Sequence, residues 1–186
     1  MTELCEIMAR HGSDKSPLFV GNGRRSHDYT PLYHEWFSKW RDQTLEILEC
    51  GVYEGASLRG WVEYFPFCRA TALDIKPDRL FMDTRIACFQ CDQKDRGRIK
   101  LLLNHYCGAF KIIIDDGLHK PEGSIPFFQA AYPYLAEGGY YIIEDVRPDH
   151  LEETLSAVRG IAPHAEVHDL RYEGSKYDNI LITVKN

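Results

Sequence analysis

The sequence predicts an α/β domain built on a doubly wound, mostly parallel seven-stranded sheet with an antiparallel C-terminal strand. Three observations predict it. From residue 45 onward, short β-rich runs alternate with stretches of helical periodicity. The first run ends directly in a glycine-rich turn, and the last two runs follow one another across a short polar turn with no helix between them. Parallel strands need crossover connections, which place helices on both faces of the sheet, so the alternation itself argues for this topology. With 186 residues, one domain with a sizeable core accounts for the whole chain.

The elements follow in order. Leu45–Cys50 predicts the first strand, and a helix over about Ala56–Phe65 carries Leu58, Trp61, Val62 and Phe65 on one face. Ala70–Ile75 predicts a second strand ending near Asp74, with Pro77 suited to the first turn of a following helix. Ile86–Gln90 is the third strand, and Lys94–Tyr106 carries Ile99, Leu102 and Leu103 at helical spacing. Phe110–Asp115, with its apolar centre, reads as a strand buried on both faces. A helix over about Glu122–Leu135 is predicted to stop at Gly138-Gly139 as a left-handed cap, before a fifth strand at Tyr140–Glu144. Asp149 and Glu152 have capping-box spacing at the start of a helix that Gly160 closes. Ala165–Leu170 and Asn179–Val184 complete the sheet, so the core spans 45–186.

Residues 1–44 read differently. Leu32, Tyr33, Trp36, Phe37 and Trp40 share one helical face, preceded by the polar segments His11-Gly-Ser-Asp-Lys15 and His27-Asp-Tyr-Thr30. They predict a helix packed on the domain, led by a loop that covers the site.

Composition narrows the partners. No apolar run approaches the ~20 residues that span a bilayer, and Met1-Thr-Glu-Leu-Cys-Glu has no basic segment leading into an apolar one. A cytoplasmic chain without a membrane partner is expected. A net charge of −6 with no Lys/Arg block argues against nucleic acid. The six cysteines are scattered through apolar stretches and read as reduced, buried thiols. Cys88-x-x-Cys91 has no second pair to complete a zinc site and reads as packing.

In such sheets ligands bind beyond the carboxyl ends of the strands, and these ends are acidic. Glu49-Cys-Gly-Val-Tyr-Glu-Gly55 puts Gly51 and Gly55 after the first strand, but Tyr53 stands where a dinucleotide fingerprint requires glycine. Gly51, Gly55 and Ser57, the last in the helix that follows, are expected to touch the ligand. Asp74 is placed to accept bonds from ribose hydroxyls and Asp92 to reach an adenine amino group. Together with Glu49 and Asp115 they describe a negative site for a nucleoside without phosphates, and S-adenosylmethionine, with its ammonium and sulfonium, is such a molecule. Asp116 and the Glu144-Asp145 pair end adjacent strands as hard oxygen donors suited to Mg²⁺ or another divalent cation. His119, three residues from Asp116, is the expected general base for a small-molecule hydroxyl acceptor.

The motifs His11-Gly-Ser-Asp-Lys15 with His27-Asp-Tyr-Thr30, Leu48-Glu-Cys-Gly-Val-Tyr-Glu-Gly-Ala-Ser-Leu58, Ile114-Asp-Asp-Gly-Leu-His119 and Gly138-Gly-Tyr-Tyr-Ile-Ile-Glu-Asp-Val146 resemble one family. It is that of the class I, Rossmann-like, S-adenosylmethionine-dependent O-methyltransferases that includes the macrocin and mycinamicin sugar methyltransferases and the cephalosporin hydroxylase-like proteins. Leu118 departs from the serine common at that position. The resemblance implies methyl transfer to a sugar or natural-product hydroxyl, with Asp116, Glu144 and Asp145 on Mg²⁺ and His119 deprotonating the acceptor. A homo-oligomer is compatible with it. The competing readings are a metal-binding hydrolase or hydroxylase-associated protein of the same fold, and an inactive cofactor-binding protein.

Overall fold

The first predicted strand forms as β1 (Leu45–Cys50), and its side chains show why it needs cover on both sides. Leu45 and Ile47 enter one apolar cluster, Leu48 and Cys50 the other. Six more strands join it: β2 (Cys68–Asp74), β3 (Ile86–Gln90), β4 (Phe110–Asp115), β5 (Leu135–Ile143), β6 (Glu166–Asp169) and β7 (Ile180–Lys185). In this computed structural model, which describes residues 1–21, 26–104, 109–172 and 178–186, they make one sheet in the order β3-β2-β1-β4-β5-β7-β6. The pairs from β3 through β5 are parallel, and β7 runs antiparallel to both β5 and β6. This is the predicted doubly wound sheet.

Among the described residues six α-helices accompany it: α1 (Glu3–Arg10), α2 (Thr30–Phe37), α3 (Ala56–Tyr64), α4 (Arg96–Asn104), α5 (Pro121–Ala131) and α6 (Pro148–Arg159). Phe127 and Phe128 of α5, Leu155 and Val158 of α6, and Ile99 and Leu103 of α4 pack with one face of the sheet. The other face takes Leu4, Ile7 and Met8 of α1, Tyr33 and Phe37 of α2, and Trp61 and Tyr64 of α3. The aromatic stripe of the N-terminal segment is therefore core, with Phe37 fully buried and Trp36 stacked on Tyr140. Cys88 and Cys91 enter different clusters, and the described cysteines are free thiols buried in the fold. Among the described residues no helix is long and apolar enough to cross a membrane.

Local details differ from the sequence reading. Pro77 opens a single 3₁₀ turn, Pro77–Arg79, rather than a helix. The helix before β5 ends at Ala131, because Pro133 holds the next residues in a 3₁₀ turn and cannot donate an N–H to continue the helix. Gly138 is left-handed, φ 64°, but inside β5 rather than at a helix end. There β5 bulges: Phe110 faces Leu135, yet Ile112 already faces Tyr140. A Cβ on Gly139 would meet Ala136 and Lys111 carbonyl oxygens at 2.8 Å, so only glycine fits the bulge. Asp149 does not cap α6; Arg147 occupies that position and Pro148 the first turn, while Asp149 pairs with Arg147 at 2.8 Å. The helix α1 was not foreseen: the Thr2 hydroxyl caps it by accepting the Cys5 N–H, and Leu4, Ile7 and Met8 form its buried stripe. Tyr106, the expected end of α4, lies outside the described residues.

Gly51 joins two of these strands. Its φ is 98°, and a Cβ there would fall 2.0 Å from the Asp116 carbonyl oxygen after β4. Gly51→Ala is therefore expected to lower the unfolding free energy by about 2 kcal/mol or more. Urea denaturation followed by tryptophan fluorescence measures it.

Candidate active site

β1 lies between β2 and β4, so successive crossovers leave in opposite directions there and open a crevice beyond the strand ends. The crevice is a cavity of about 450 Å³, within the range of small-molecule sites. Its walls are the turns after β1, β2, β3 and β4, Asp145 after β5, and the loop Gly12–Lys15 that follows α1. Of the residues expected to touch ligand, Gly51, Ser57, Asp74, Asp92, Asp116, His119 and Asp145 line it. Glu49, Gly55, Asp115 and Glu144 stand outside this lining. Cys50 and Cys91 also face it.

At the β2 end, Asp74 fixes the shape of the neighbouring turn. Its carboxylate accepts the N–H groups of Val52 at 2.9 Å and Lys76 at 2.8 Å, and lies 3.8 Å from the Arg79 guanidinium. Arg79 in turn covers the Tyr53 ring. Asp92 accepts the Lys94 N–H at 2.9 Å and is part-exposed to the cavity.

Two predicted ligand residues instead hold the wall from behind. Glu49 is fully buried, accepting the Ser57 hydroxyl at 2.6 Å and the Trp61 indole N–H at 3.0 Å. Burial pushes its pKa up against the pull of Lys15. Asp115 accepts the Gln93 amide on Oδ1 while its buried Oδ2 has no hydrogen-bond partner. Burial raises its pKa to about 6, despite the nearby Ser124 hydroxyl and His119. Gly55 serves α3 as a left-handed N-cap, φ 72°.

At the β4–β5 end, one donor atom each from Asp116, His119 and Asp145 lies within 4.8 Å of the others, a group able to hold a metal ion. His119 Nε2 is 3.0 Å from Asp116 Oδ1 and Nδ1 is 3.6 Å from Asp145 Oδ2. Glu144 is not in this group. One of its oxygens accepts the Tyr33 hydroxyl at 2.6 Å and the other the Lys15 ammonium. That ammonium also reaches Asp116 Oδ2 at 2.5 Å. Asp145 Oδ1 accepts the Tyr29 hydroxyl at 2.7 Å and lies 2.9 Å from His27 Nδ1.

The electrostatics follow from crowding acids in a sheltered place. Burial pushes the Glu144 pKa well up, reinforced by Asp116, Asp145 and Glu49. Burial acts the same way on Asp116, but Lys15 and His119 overcome it and hold that carboxyl below the usual range. Burial disfavours the imidazolium of His119, yet Asp116 and Asp145 outweigh it and raise its pKa to about 10. Backbone strain collects here too: Tyr53, His119 and Asp145, all lining the cavity, have positive φ, as does Asp28 beside His27.

No protein-family profile matches the chain. It is 35% identical over 151 residues to mycinamicin VI 2''-O-methyltransferase of Micromonospora griseorubida, covering 77% of this chain and 36% of that enzyme. It is 34% identical over 151 residues, with 77% and 37% covered, to a rhamnosyl-tetracenomycin C 3'-O-methyltransferase of Streptomyces olivaceus. The MycE methyltransferase of the mycinamycin pathway, solved with Mg, SAH and mycinamycin VI, matches 99% of this chain and 54% of its own at 27% identity and TM-score 0.76. The aligned region is similar to sugar O-methyltransferases of natural-product pathways, and the sheet has the class I methyltransferase fold. The chain spans a little over a third of the length of these curated relatives, at 36% and 37%.

Lys15, His27, Tyr29 and Tyr33 contact the acids of this site, and sequence reasoning gave none of them a role. Lys15 stood in a quoted motif without a role. The signal that could have found it is charge: acids converging from adjacent strand tips require a buried cation, and Lys15 is the lysine of the motif lying nearest the predicted cover.

The raised pKa of Asp115 gives a test of signed pH dependence. A carboxyl bound more tightly to its proton in the folded chain costs stability progressively as pH rises above its unfolded pKa, in full above its folded pKa, and the loss disappears as pH falls. Asp115→Asn, which cannot ionise, should therefore gain stability relative to the unmodified chain between pH 5 and pH 8, by up to about 3 kcal/mol. Urea midpoints across that range, compared pairwise, measure the difference.

Proposed function

We propose that the chain is an S-adenosylmethionine-dependent, divalent-metal-assisted O-methyltransferase acting on the hydroxyl of a small molecule, a sugar of a glycosylated natural product. The observation that carries this reading is the sharing of one cavity by the Asp116–His119–Asp145 group and the acids Asp74 and Asp92. The net charge of −6 and the acidic rim suit a neutral glycoside better than nucleic acid. The family members it resembles are named for methylating rhamnosyl and mycinamicin hydroxyls.

The residues fit both groups. The carboxylates of Asp116 and Asp145 are suitable hard donors for Mg²⁺ or Mn²⁺, and the His119 imidazole stands beside them, free of that duty, to take a proton. The cavity offers carboxylates, and a tyrosine in place of a phosphate-binding glycine, to a cationic nucleoside. When bound, S-adenosylmethionine supplies an electrophilic sulfonium methyl and the divalent ion supplies positive charge beside the acceptor oxygen.

The chain's own residues do the rest. Asp74 and Asp92 would orient the nucleoside, and Asp116 and Asp145 would hold the ion, Asp145 being fixed by Tyr29 and His27. Glu144 is the third proposed ligand, and its two oxygens already accept from Lys15 and Tyr33. His119 receives the acceptor proton at Nε2, the nitrogen beside Asp116. With bare carboxylates around it, His119 keeps its own proton up to about pH 10. It acts as a base near neutrality only when added positive charge offsets Asp116 and Asp145.

Two variants separate these roles. His119→Ala should retain S-adenosylhomocysteine binding by titration calorimetry while methyl transfer to a panel of glycosides falls about 10²–10⁴-fold. Asp74→Ala should lose the heat of binding. An unmodified chain that gives no heat with either S-adenosylmethionine or its demethylated product overturns the proposal.

A further inference from the structure

The loop that carries Lys15 is pinned rather than draped over the site. The Lys15 carbonyl accepts the N–H groups of Tyr29 at 2.9 Å and Thr30 at 3.1 Å, and the Asp14 carbonyl accepts that of His27 at 2.7 Å. Below the loop, the Ser16 hydroxyl donates to the Cys5 carbonyl at 2.7 Å. The side chain is consequently delivered inward, 2% exposed, with its ammonium among Asp116, Glu144 and, at 3.7 Å, Glu49.

That position overlaps with the duty proposed for two of these acids. Glu144 is 1% exposed and has both oxygens engaged, one by the ammonium and one by Tyr33. Asp116 gives Oδ2 to the ammonium and Oδ1 to His119. A divalent ion held by Asp116 and Glu144 must share them with a charge of its own sign. Charges a few ångströms apart and away from water repel far more strongly than on a surface.

We propose that Lys15 is a tethered cation that sets how tightly this site takes its divalent ion, its ammonium competing for Asp116 and Glu144 and weakening the ion's hold. The inference rests on the reading of the site as a divalent-ion site. Lys15 is a positioning residue in this scheme: it touches the acids, and its single charge keeps them together without satisfying them fully. Tyr33 makes the informative contrast, because it bonds the same Glu144 without bringing charge.

The test is titration of the full chain with Mn²⁺, followed by calorimetry and by the electron paramagnetic resonance signal of the free ion. Lys15→Met should bind Mn²⁺ about tenfold more tightly or better, while Tyr33→Phe stays within about threefold of the unmodified chain. Unchanged or weaker binding by a folded Lys15→Met chain overturns the inference. If that variant does not fold, the Lys15 ammonium resonance of the ¹⁵N-labelled unmodified chain decides: it must shift as Mg²⁺ saturates the site, and a resonance that stays put while the ion binds overturns the inference. An unmodified chain that takes up no Mn²⁺ overturns the divalent-ion reading itself, an outcome distinct from equal affinities in the two chains.

Discussion

Negative charge concentrated at the ends of neighbouring parallel strands is the constraint from which the rest of this structure follows. Glu49, Asp74, Asp115, Asp116, Glu144 and Asp145 all sit at or just past the tips of β1, β2, β4 and β5. A parallel sheet places such tips side by side by construction, and most of these side chains are buried, where an unpaired carboxylate is costly. The chain answers with Lys15, His27 and His119, with backbone N–H groups on Asp74, and with two phenols. With these partners in place, Asp74, Asp116 and Asp145 still line the crevice.

Neutralisation also explains why the N-terminal segment belongs to the site. Helices α1 and α2 bury their apolar stripes against the same sheet face as Trp61, and Tyr29, Tyr33 and Trp61 form a run of rings about 6.0 Å apart beneath the strand tips. Packing thereby fixes the two hydroxyls that end on Asp145 and Glu144. The energy that orders this segment comes from apolar burial, and the polar contacts inherit their geometry from it.

Much of this could be read from residue order, because period and position decide it. Strand tips are fixed by where apolar runs stop, and parallel order makes those tips neighbours, so Asp74, Asp92, Asp116, His119 and Asp145 reach one cavity as expected. What escaped depends on direction rather than place. Successive strand residues point to opposite faces, so Glu49 leaves β1 towards Trp61 and Glu144 leaves β5 towards Tyr33, away from the cavity that their neighbours reach. Asp145 escapes the alternation through its positive φ, which no run of residue types announces. Lys15 lies 101 and 129 positions from the acids it joins, too far for local pattern to reveal. Gly138-Gly139 looked like a helix end because glycine serves bulge and cap equally; Pro133 had already stopped the helix.

The sulfur atoms in the wall carry a last consequence. Cys50 and Cys91 face the same space as the acids, and burial pushes the Cys50 thiol well up and the Cys91 thiol to about 11. Only the thiolate attacks carbon readily, so near neutrality both cysteines stay protonated and inert. In the proposed reaction an alkylating agent thus meets soft sulfur that it does not consume, because burial first, and the neighbouring acids after it, keep the thiols protonated.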